Sequence, residues 1–442
     1  MNIYALSSGR GPSGIAIIRL SGKDALKISE LIVKKKNLKS KEINFCKFYN
    51  PSDNSIIDEG ILLSFPAPNS FTGDDLVEFH VHGSNAVITY FLSVLSNQEN
   101  CRLAEPGEFT KLAFQNNKID LIEAESIGDL IHSETELQRQ QAVKLVQGHA
   151  SNYYNELREK LIKSLAYIEA KIDFAEDDLP ENVLKNVQKS IKEVHSKIKK
   201  ILEDQKVGEK IRDGFRVSIV GEVNAGKSSL LNLLAKRDAA IVSEEKGTTR
   251  DVIEVYLNID GYPIILADTA GIRDSNNEIE KKGVSLAINK SKESDLSLIM
   301  IDNSSKTIDA KIKNLINEEC IVVLNKSDID NQQKHSFNKL SVVLISVKKN
   351  ENIVQLTSCI KEKLSKKFIT SNNILVTRER HRVKLNDCLK EIENFLKKDQ
   401  QKNIEVAAED LRLATRHLGA IVGKVDVEEI LGSIFKDFCI GK

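Results

Sequence analysis

The chain carries the motif GEVNAGKSS at residues 221–229, whose residue types and spacing are those of a phosphate-binding loop. The apolar run VSIV precedes it and the amphipathic run LLNLLAK follows it, which is the strand-to-helix context that such a loop requires. Glycines at positions 221 and 226 allow the backbone to curl so that amide N–H groups face the phosphates at a helix N-terminus. Lys227 would then reach the β and γ phosphates, and the Ser228 hydroxyl would bind Mg²⁺. Taken alone, this motif fits ATPases as well as GTPases.

Two later motifs indicate which base is bound. DTAG begins at Asp268, at the end of an apolar run, where the aspartate would hold Mg²⁺ through water and the Gly271 amide would contact the γ phosphate. NKSD ends at Asp328, after the next-but-one apolar run. The carboxylate of this aspartate would accept two N–H bonds from guanine, whereas adenine has no such pair of donors on that edge. ISVKK then follows where a base-supporting loop belongs. Because all these motifs occur in the expected order and at compatible spacing, the sequence predicts GTP binding.

Hydrolysis needs a group that orients the attacking water, and here the sequence departs from Ras-type GTPases. Those enzymes have a glutamine just after the DTAG position, whereas this chain has Ile272, which has no group able to orient water. Glu278 and Glu280, in NNEIEKKG, are candidates for that role. Arg250 and Arg273 flank the site, but each can simply pair with a surface carboxylate, so no arginine finger is evident.

Two further residues are candidate cation ligands. Thr249, in GTTRD, is a switch threonine whose hydroxyl would complete the Mg²⁺ shell. Asn224, inside the phosphate loop, would bind a monovalent cation and so place positive charge between the phosphates, as an arginine finger does. The alternative is that this asparagine only stabilises the loop.

Length and composition limit the number of domains, the kinds of partner and the cellular location that the chain can have. A length of 442 residues predicts two to four domains, and 64 basic against 64 acidic residues leave no net charge to attract nucleic acid or anionic membrane. The six cysteines form no C-x-x-C pair, which argues against a zinc ribbon or a disulfide framework and fits the cytoplasm. No apolar run approaches the ~20 residues of a membrane helix, and the first residues lack a signal-peptide pattern, so we expect neither export nor membrane insertion.

The elements that position these motifs follow from the hydrophobic pattern. Short apolar runs between residues 215 and about 346 predict a mostly parallel sheet with crossover helices, and a hairpin with Asp260-Gly261 at its turn. Apolar residues recur at helical spacing before and after this region. We therefore predict an α/β and α multidomain chain in which the GTPase domain is inserted into a helical domain; two separate helical domains are the alternative. The first ~118 residues are predicted to be mixed α and β, with LVEFHVHG as a half-buried strand.

The motifs together resemble the MnmE (TrmE) family of tRNA-modifying GTPases, over the whole chain. Three stretches beyond the GTPase motifs carry the resemblance: GRGPSGIAIIRLSG, then FTGDDLVEFHVHG with AEPGEFTKLAFQNNKIDLIEAE, and the terminal FCIGK. The resemblance implies an α+β folate-binding and dimerisation domain at 1–118, a helical domain in two parts at 119–210 and 371–442, and a G domain at 211–370.

The terminal FCIGK is open to other interpretations. A prenylation box is a poor match because Gly441 and Lys442 follow Ile440. The alternative is that the C-terminus is frayed and has no functional role. The resemblance implies instead that the last helix delivers this tail to a folate site near the dimer interface. Cys439 is either a thiolate that adds to uridine or a buried anchor for the tail.

The resemblance also assigns ligands and roles. Glu280 is implied to orient water, while K⁺ is implied to bind Asn224, Ser243, Glu245 and Thr248. Tetrahydrofolate, in its 5-formyl or 5,10-methylene form, is implied to bind Arg19, Glu78, Lys118 and Lys442; Glu78 suits the pterin N–H groups, and the basic groups suit its carbonyl and carboxylates. The positions predicted to contact the nucleotide or its ions are Asn224, Ala225, Gly226, Lys227, Ser228, Ser229, Ser243, Glu244, Glu245, Lys246, Gly247, Thr248, Thr249, Asp268, Thr269, Ala270, Gly271, Asn325, Lys326 and Asp328.

Some of these assignments have alternatives. Without the resemblance, Arg19 and Lys118 are surface charges. His80 and His82 share a strand face and suggest a metal pair, but without further ligands packing or ligand contact is favoured. Val223 stands where many relatives have proline, which could loosen the cation site.

The function implied is that of a homodimeric, K⁺-stimulated GTPase that acts with a flavin-dependent MnmG-type partner, in a heterotetramer or larger assembly, and not at a membrane. The two would form the 5-aminomethyl or 5-carboxymethylaminomethyl group on the wobble uridine of tRNA, with the carbon from folate. The alternative is a GTP-switched ribosome-assembly factor. Such factors usually add an RNA-binding module, for which a K-homology domain would need a G-x-x-G loop that the helical C-terminal region lacks.

Overall fold

The structure is a computed structural model, and it describes most of the chain. The described residues are 1–9, 11–36, 38–40, 42–173, 182–222, 224–238, 254–268, 293–305, 307–329, 337, 340–368, 374–398, 404–425, 428–436 and 438–441. They divide into two compact units, one of residues 1–128, 145–159 and 415–442 and the other of residues 129–144 and 160–414. The four sequence segments given above remain predictions. No helix among the described residues is long and apolar enough to cross a membrane.

The first unit is built on a six-stranded sheet in the order β3-β4-β5-β2-β1-β6, in which only β1 and β6 run parallel. Its strands are β1 (Asn2–Leu6), β2 (Ser13–Ser21), β3 (Asn44–Tyr49), β4 (Ile56–Phe65), β5 (Leu76–Gly83) and β6 (Cys101–Leu103). Helices α1 (Ala25–Val33) and α2 (Asn85–Ser96) pack on one face of this sheet, where Phe79 of β5 contacts Phe91 of α2 at a ring distance of 4.9 Å.

Alternation along β5 confirms the predicted half-buried strand. Val77, Phe79 and Val81 are buried against the helices, whereas Glu78 and His80 point to the opposite face of the sheet. The alternation therefore separates residues that form the core from residues that are available for chemistry.

The helices that follow in the chain confirm the predicted helical pattern. They are α3 (Glu108–Gln115), α4 (Leu121–Ile131), α5 (Glu136–Val146), α6 (His149–Asp173), α7 (Asn182–Leu202) and α8 (Val207–Asp213). After the second sheet come α12 (Glu379–Lys397), α13 (Ile404–Val422) and α14 (Glu428–Lys436). In the second unit, Arg382 of α12 bonds to Glu209 Oε1 and Asp204 Oδ1, each at 2.8 Å, and so ties α12 to α8 and the turn before it.

The second unit contains the predicted α/β fold. Its sheet has the order β12-β11-β10-β7-β9-β8, parallel except for the β8–β9 hairpin. The strands are β7 (Phe215–Gly221), β8 (Glu254–Ile259), β9 (Tyr262–Asp268), β10 (Leu296–Asp302), β11 (Ile321–Asn325) and β12 (Ser341–Leu344). The described helices of this region are α9 (Lys227–Asp238), α10 (Ala310–Lys313) and α11 (Ile353–Phe368).

The hairpin turn also forms as predicted. Asp260 and Gly261 have positive φ angles of 49° and 89° between β8 and β9. Because β7, β9, β10 and β11 are parallel, their carboxyl ends meet at one edge of the sheet. That edge carries the nucleotide motifs.

Candidate functional site

The phosphate loop joins the end of β7 to the start of α9. Gly221 ends the strand, Lys227 begins the helix, and the Leu230 amide makes the first helical bond, 2.9 Å to the Gly226 carbonyl oxygen. The amide N–H groups of the first helical turn have no partner within the helix and carry its positive dipole end. This end of α9 is therefore suited to hold phosphate oxygens.

Gly226 is required by its surroundings. Its φ angle is +97°, and a Cβ atom added there would lie 2.4 Å from Asn325 Nδ2. Lys227 is held back over the loop, since its Nζ donates to the carbonyl oxygens of Gly221 at 3.0 Å and Glu222 at 2.7 Å. The lysine is thus already placed beside the loop that would surround the phosphates.

Asn325 connects the phosphate loop to the loop that would support the base. Its Nδ2 donates to the Ala225 carbonyl oxygen at 2.8 Å, and its Oδ1 accepts from the Val347 amide at 3.1 Å. The Asn325 carbonyl also accepts from the Asn303 amide at 2.9 Å. Because Asn325 is buried, these bonds are shielded from water and hold three loops in register.

Asp328 is prepared to act as a carboxylate. Ser346, which is fully buried, donates its Oγ hydrogen to Asp328 Oδ1 at 2.7 Å and accepts from the Lys349 amide at 3.1 Å. The hydrogen bond from Ser346 is the main reason that the pKa of Asp328 lies below its usual value, and Lys348 and Lys349 lower it further. An ionised carboxylate at this position can accept the two N–H groups of guanine.

Lys326 lies between these two residues and has a positive φ angle of 68°. Its Nζ donates to Asp302 Oδ2 at 2.5 Å. Burial raises the pKa of Asp302, but the bonds from Lys326 and Ser304 outweigh it, so the pKa is lowered overall. The sequence interpretation did not identify Asp302 or the role of Ser346, although Asp302 ends an apolar strand as Asp268 and Asn325 do.

The structure leaves part of the predicted site undescribed. The Asp268 backbone ends β9 and pairs with Ile219 of β7, beside the phosphate loop. The predicted or discussed positions outside the described residues are Val223, Ser243, Glu244, Glu245, Lys246, Gly247, Thr248, Thr249, Arg250, Thr269, Ala270, Gly271, Ile272, Arg273, Glu278, Glu280 and Lys442. The predicted water-orienting glutamate, the switch threonine and most K⁺ ligands therefore remain predictions.

A second cluster of polar residues lies on the sheet of the first unit. Arg19 of β2 and Glu78 of β5 are register partners, and the Arg19 Nε and Nη2 donate to Glu78 Oε1 at 3.1 and 2.7 Å. The guanidinium also lies 5.9 Å from the ring centre of Phe71 and 5.5 Å from that of Phe109. With a side chain only 17% exposed, Arg19 is not a plain surface charge, so that alternative is wrong.

Lys118 borders the same region through a loop. Its Nζ donates to the Pro68 carbonyl oxygen at 2.8 Å, and Phe71 lies three residues further along that loop. The residue itself is exposed, so its predicted contact with a ligand stays a prediction. The structure thus brings Arg19 and Glu78 into contact and leaves Lys118 at the edge.

The C-terminal tail is ordered against the first unit through residue 441. The Ile440 backbone pairs with that of Pro106, and the Gly441 carbonyl accepts from Ser7 Oγ at 2.8 Å. Gly441 has a φ angle of +97°, and a Cβ atom added there would lie 2.2 Å from the Leu6 carbonyl oxygen. The frayed-tail alternative is therefore wrong for residues 438–441. Cys439 is exposed, so the idea of a buried anchor does not fit its side chain.

Comparisons with known proteins cover the whole chain. The family model for the GTP-binding protein TrmE N-terminus matches residues 2–118, and that for the MnmE helical domain matches residues 121–439. The tRNA modification GTPase MnmE of Pelagibacter ubique (strain HTCC1062) is 57% identical, with 100% of each chain covered. The proteins of the same name from Rickettsia bellii (strain RML369-C) and Parvibaculum lavamentivorans are each 42% identical, covering 100% of this chain and 99% of theirs.

Proposed function

Because the chain belongs to the MnmE family of tRNA modification GTPases, we propose that it couples GTP hydrolysis to modification of tRNA at C5 of the wobble uridine. The chain is a GTP hydrolase, as its family is. The observation that best supports its nucleotide site is the pair of bonds from the Asn325 side chain, which join the phosphate loop to the base-supporting loop. These bonds would let one rigid site recognise both ends of GTP.

The proposed chemistry of hydrolysis rests on ions and on one carboxylate. Mg²⁺ would be held by Ser228 and Thr249 and through Asp268, and K⁺ by Asn224 together with residues of the segment SEEKGT. These cations would neutralise charge that develops between the β and γ phosphates, because no arginine finger is evident in the sequence. Glu280 would orient the attacking water in place of the missing glutamine.

The proposed second substrate is a reduced folate, in its 5-formyl or 5,10-methylene form. Glu78 and Arg19 supply an acceptor and a charged donor side by side on a sheet face, with the Phe71 and Phe109 rings next to them. A pterin ring has N–H donors and a carbonyl on one edge, which suits such a pair. Lys118 and Lys442 would meet the ligand's negatively charged groups.

The proposed assembly includes other chains. A second copy would supply the opposing G domain, and a flavin-dependent MnmG-type partner would transfer hydride and complete the 5-aminomethyl or 5-carboxymethylaminomethyl group. The protein would act in the cytoplasm, where tRNA is used. Membership of the MnmE family favours this function over the GTP-switched ribosome-assembly factor considered from the sequence, and co-purification of folate or loss of the wobble modification in a deletion strain would test it.

Single-turnover GTP hydrolysis in KCl and in NaCl at equal ionic strength tests the mechanism. An effective surrogate for an arginine finger contributes on the order of 10³–10⁵ in rate, so even a partly active site should prefer K⁺ clearly. We expect Asn224→Ala to remove this preference. Asn54→Ala is the matched control, since Asn54 is an exposed turn residue in the first unit with the same φ angle of 63°.

The outcomes separate the parts of the proposal. Equal rates in both salts for the wild type would refute the K⁺ mechanism while leaving GTP hydrolysis intact. A K⁺ preference that survives in Asn224→Ala would show that other groups bind the ion. A loss in both variants would indicate a general effect on folding.

A further inference from the structure

His80 lies beside Glu78 on the face of the first unit's sheet that is opposite to α1 and α2. It pairs with Ile17 of β2 and with Ile61 of β4, so strands flank it on both sides. Its side chain is 23% exposed. The strand pairing therefore fixes the backbone of His80, and its imidazole lies next to the Arg19–Glu78 pair.

The two oxygens of Glu78 have different surroundings. Oε1 accepts both bonds from Arg19, whereas Oε2 lies 3.6 Å from His80 Nε2. A separation of 3.6 Å is too long for a hydrogen bond between a ring nitrogen and a carboxylate oxygen. The two atoms therefore lie near each other without a hydrogen bond between them.

His80 Nε2 is buried, and it has no hydrogen-bond partner among the residues that the structure describes. Most buried polar atoms in folded proteins have a partner, because an unpaired one loses its bonds to water without replacement. An exception next to a candidate ligand site points to a bond that the ligand itself completes.

We propose that His80 is a direct contact for the folate ring, acting together with Glu78. This inference rests on the proposed folate binding. The 2-amino-4-oxo edge of a reduced pterin has N–H donors next to a carbonyl oxygen. The donors would bond to Glu78 Oε2, and the neighbouring carbonyl would accept from His80 Nε2–H. One ligand edge would thus satisfy both atoms.

His82 offers an internal comparison on the same strand face. Its Nδ1 bonds to Asp58 Oδ1 at 2.9 Å, its backbone amide bonds to Asp58 Oδ2 at 2.7 Å, and its side chain is 71% exposed. It already has a partner and is open to water. A ligand contact is therefore assigned to His80 and not to His82.

Binding of 5-formyltetrahydrofolate to the full chain, measured by isothermal titration calorimetry, tests this assignment. His80→Phe keeps the ring but removes both nitrogens, and we expect about tenfold weaker binding. His80→Gln retains a donor at similar reach and should bind within about threefold of the wild type. His82→Phe is the matched control and should bind as the wild type does.

Arg19→Ala distinguishes failure of this inference from failure of the proposed function. If Arg19→Ala loses binding while His80→Phe binds as the wild type does, His80 is not a ligand contact and the folate site stands. If the wild type does not bind 5-formyltetrahydrofolate, the proposed folate function fails, and the inference fails with it.

A spectroscopic measurement on the wild type keeps the inference testable if His80→Phe misfolds. With ¹⁵N-labelled histidine, the Nε2 resonance that disappears in His80→Gln should shift when 5-formyltetrahydrofolate is added, while the His82 resonance stays in place. An unshifted His80 resonance at saturating ligand would overturn the assignment.

Discussion

Replacing Asn325 by alanine should damage both the stability of the G domain and its affinity for guanine nucleotides. The substitution removes the bond from Nδ2 to the Ala225 carbonyl and the bond to Oδ1 from the Val347 amide. Asn325 is only 4% exposed, so water does not readily replace these bonds. The two loops that would bind phosphate and base then lose their direct link.

The magnitude follows from the two groups that are left behind. A buried donor or acceptor without a partner costs about 1–3 kcal/mol, so the two together cost roughly 2–6 kcal/mol in the free energy of unfolding. Even the lower value is a large part of the 5–15 kcal/mol that is typical of a folded domain. For a domain of about 150–250 residues, a loss of roughly 2 kcal/mol lowers Tm by about 4–8 °C.

Thermal unfolding with and without GDP measures the loss of stability, and titration of a fluorescent GDP analogue measures the loss of affinity. Asn394→Ala is the control, because this half-buried helical residue bonds only within its own helix, to Glu391 at 3.1 Å among the bonds described. It should change stability by less than about 0.5 kcal/mol. If Asn325→Ala unfolds with the control and binds GDP as tightly as the wild type, the side chain does not link the two loops as argued.

Three further changes have distinct expected results. Ser346→Ala removes the hydrogen bond that holds the pKa of Asp328 low, so this pKa should rise toward its ordinary value. On acidification, the GDP affinity of the variant should therefore begin to fall at a higher pH than that of the wild type. Identical profiles of GDP affinity between about pH 6 and 4 would contradict this. Gly441→Ala cannot keep a Cβ 2.2 Å from the Leu6 carbonyl oxygen, so the tail should detach and its amides should exchange hydrogen faster, and unchanged protection would show that the tail adapts. Arg382→Met removes the buried partner of the Asp204 and Glu209 carboxylates. It should lower the free energy of unfolding, measured by chemical denaturation, by about 3–5 kcal/mol, and a loss below about 1 kcal/mol would refute this.

Local sequence determined much of the fold and of the nucleotide motif. The phosphate loop could be predicted because its glycines, lysine and serine are neighbours in the chain, and a strand-to-helix turn places neighbours around one phosphate. The β8–β9 hairpin and the half-buried β5 could be predicted for the same reason, since turn residues and alternation act over a few positions.

The contacts between distant residues could not be predicted from the sequence. Asn325 bonds to a residue 100 positions away, Arg19 pairs with Glu78 through sheet register, and Ser7 holds the tail 434 positions away. Residue type predicts that an asparagine or an arginine will seek a partner, but the partner depends on strand order and register, which arise from packing of the whole core. The chemistry of each motif can therefore be inferred from the residues of the chain, whereas the contact of Arg19 with Glu78 and of the tail with Ser7 required the folded structure, because contacts between distant residues depend on all the elements that pack between them.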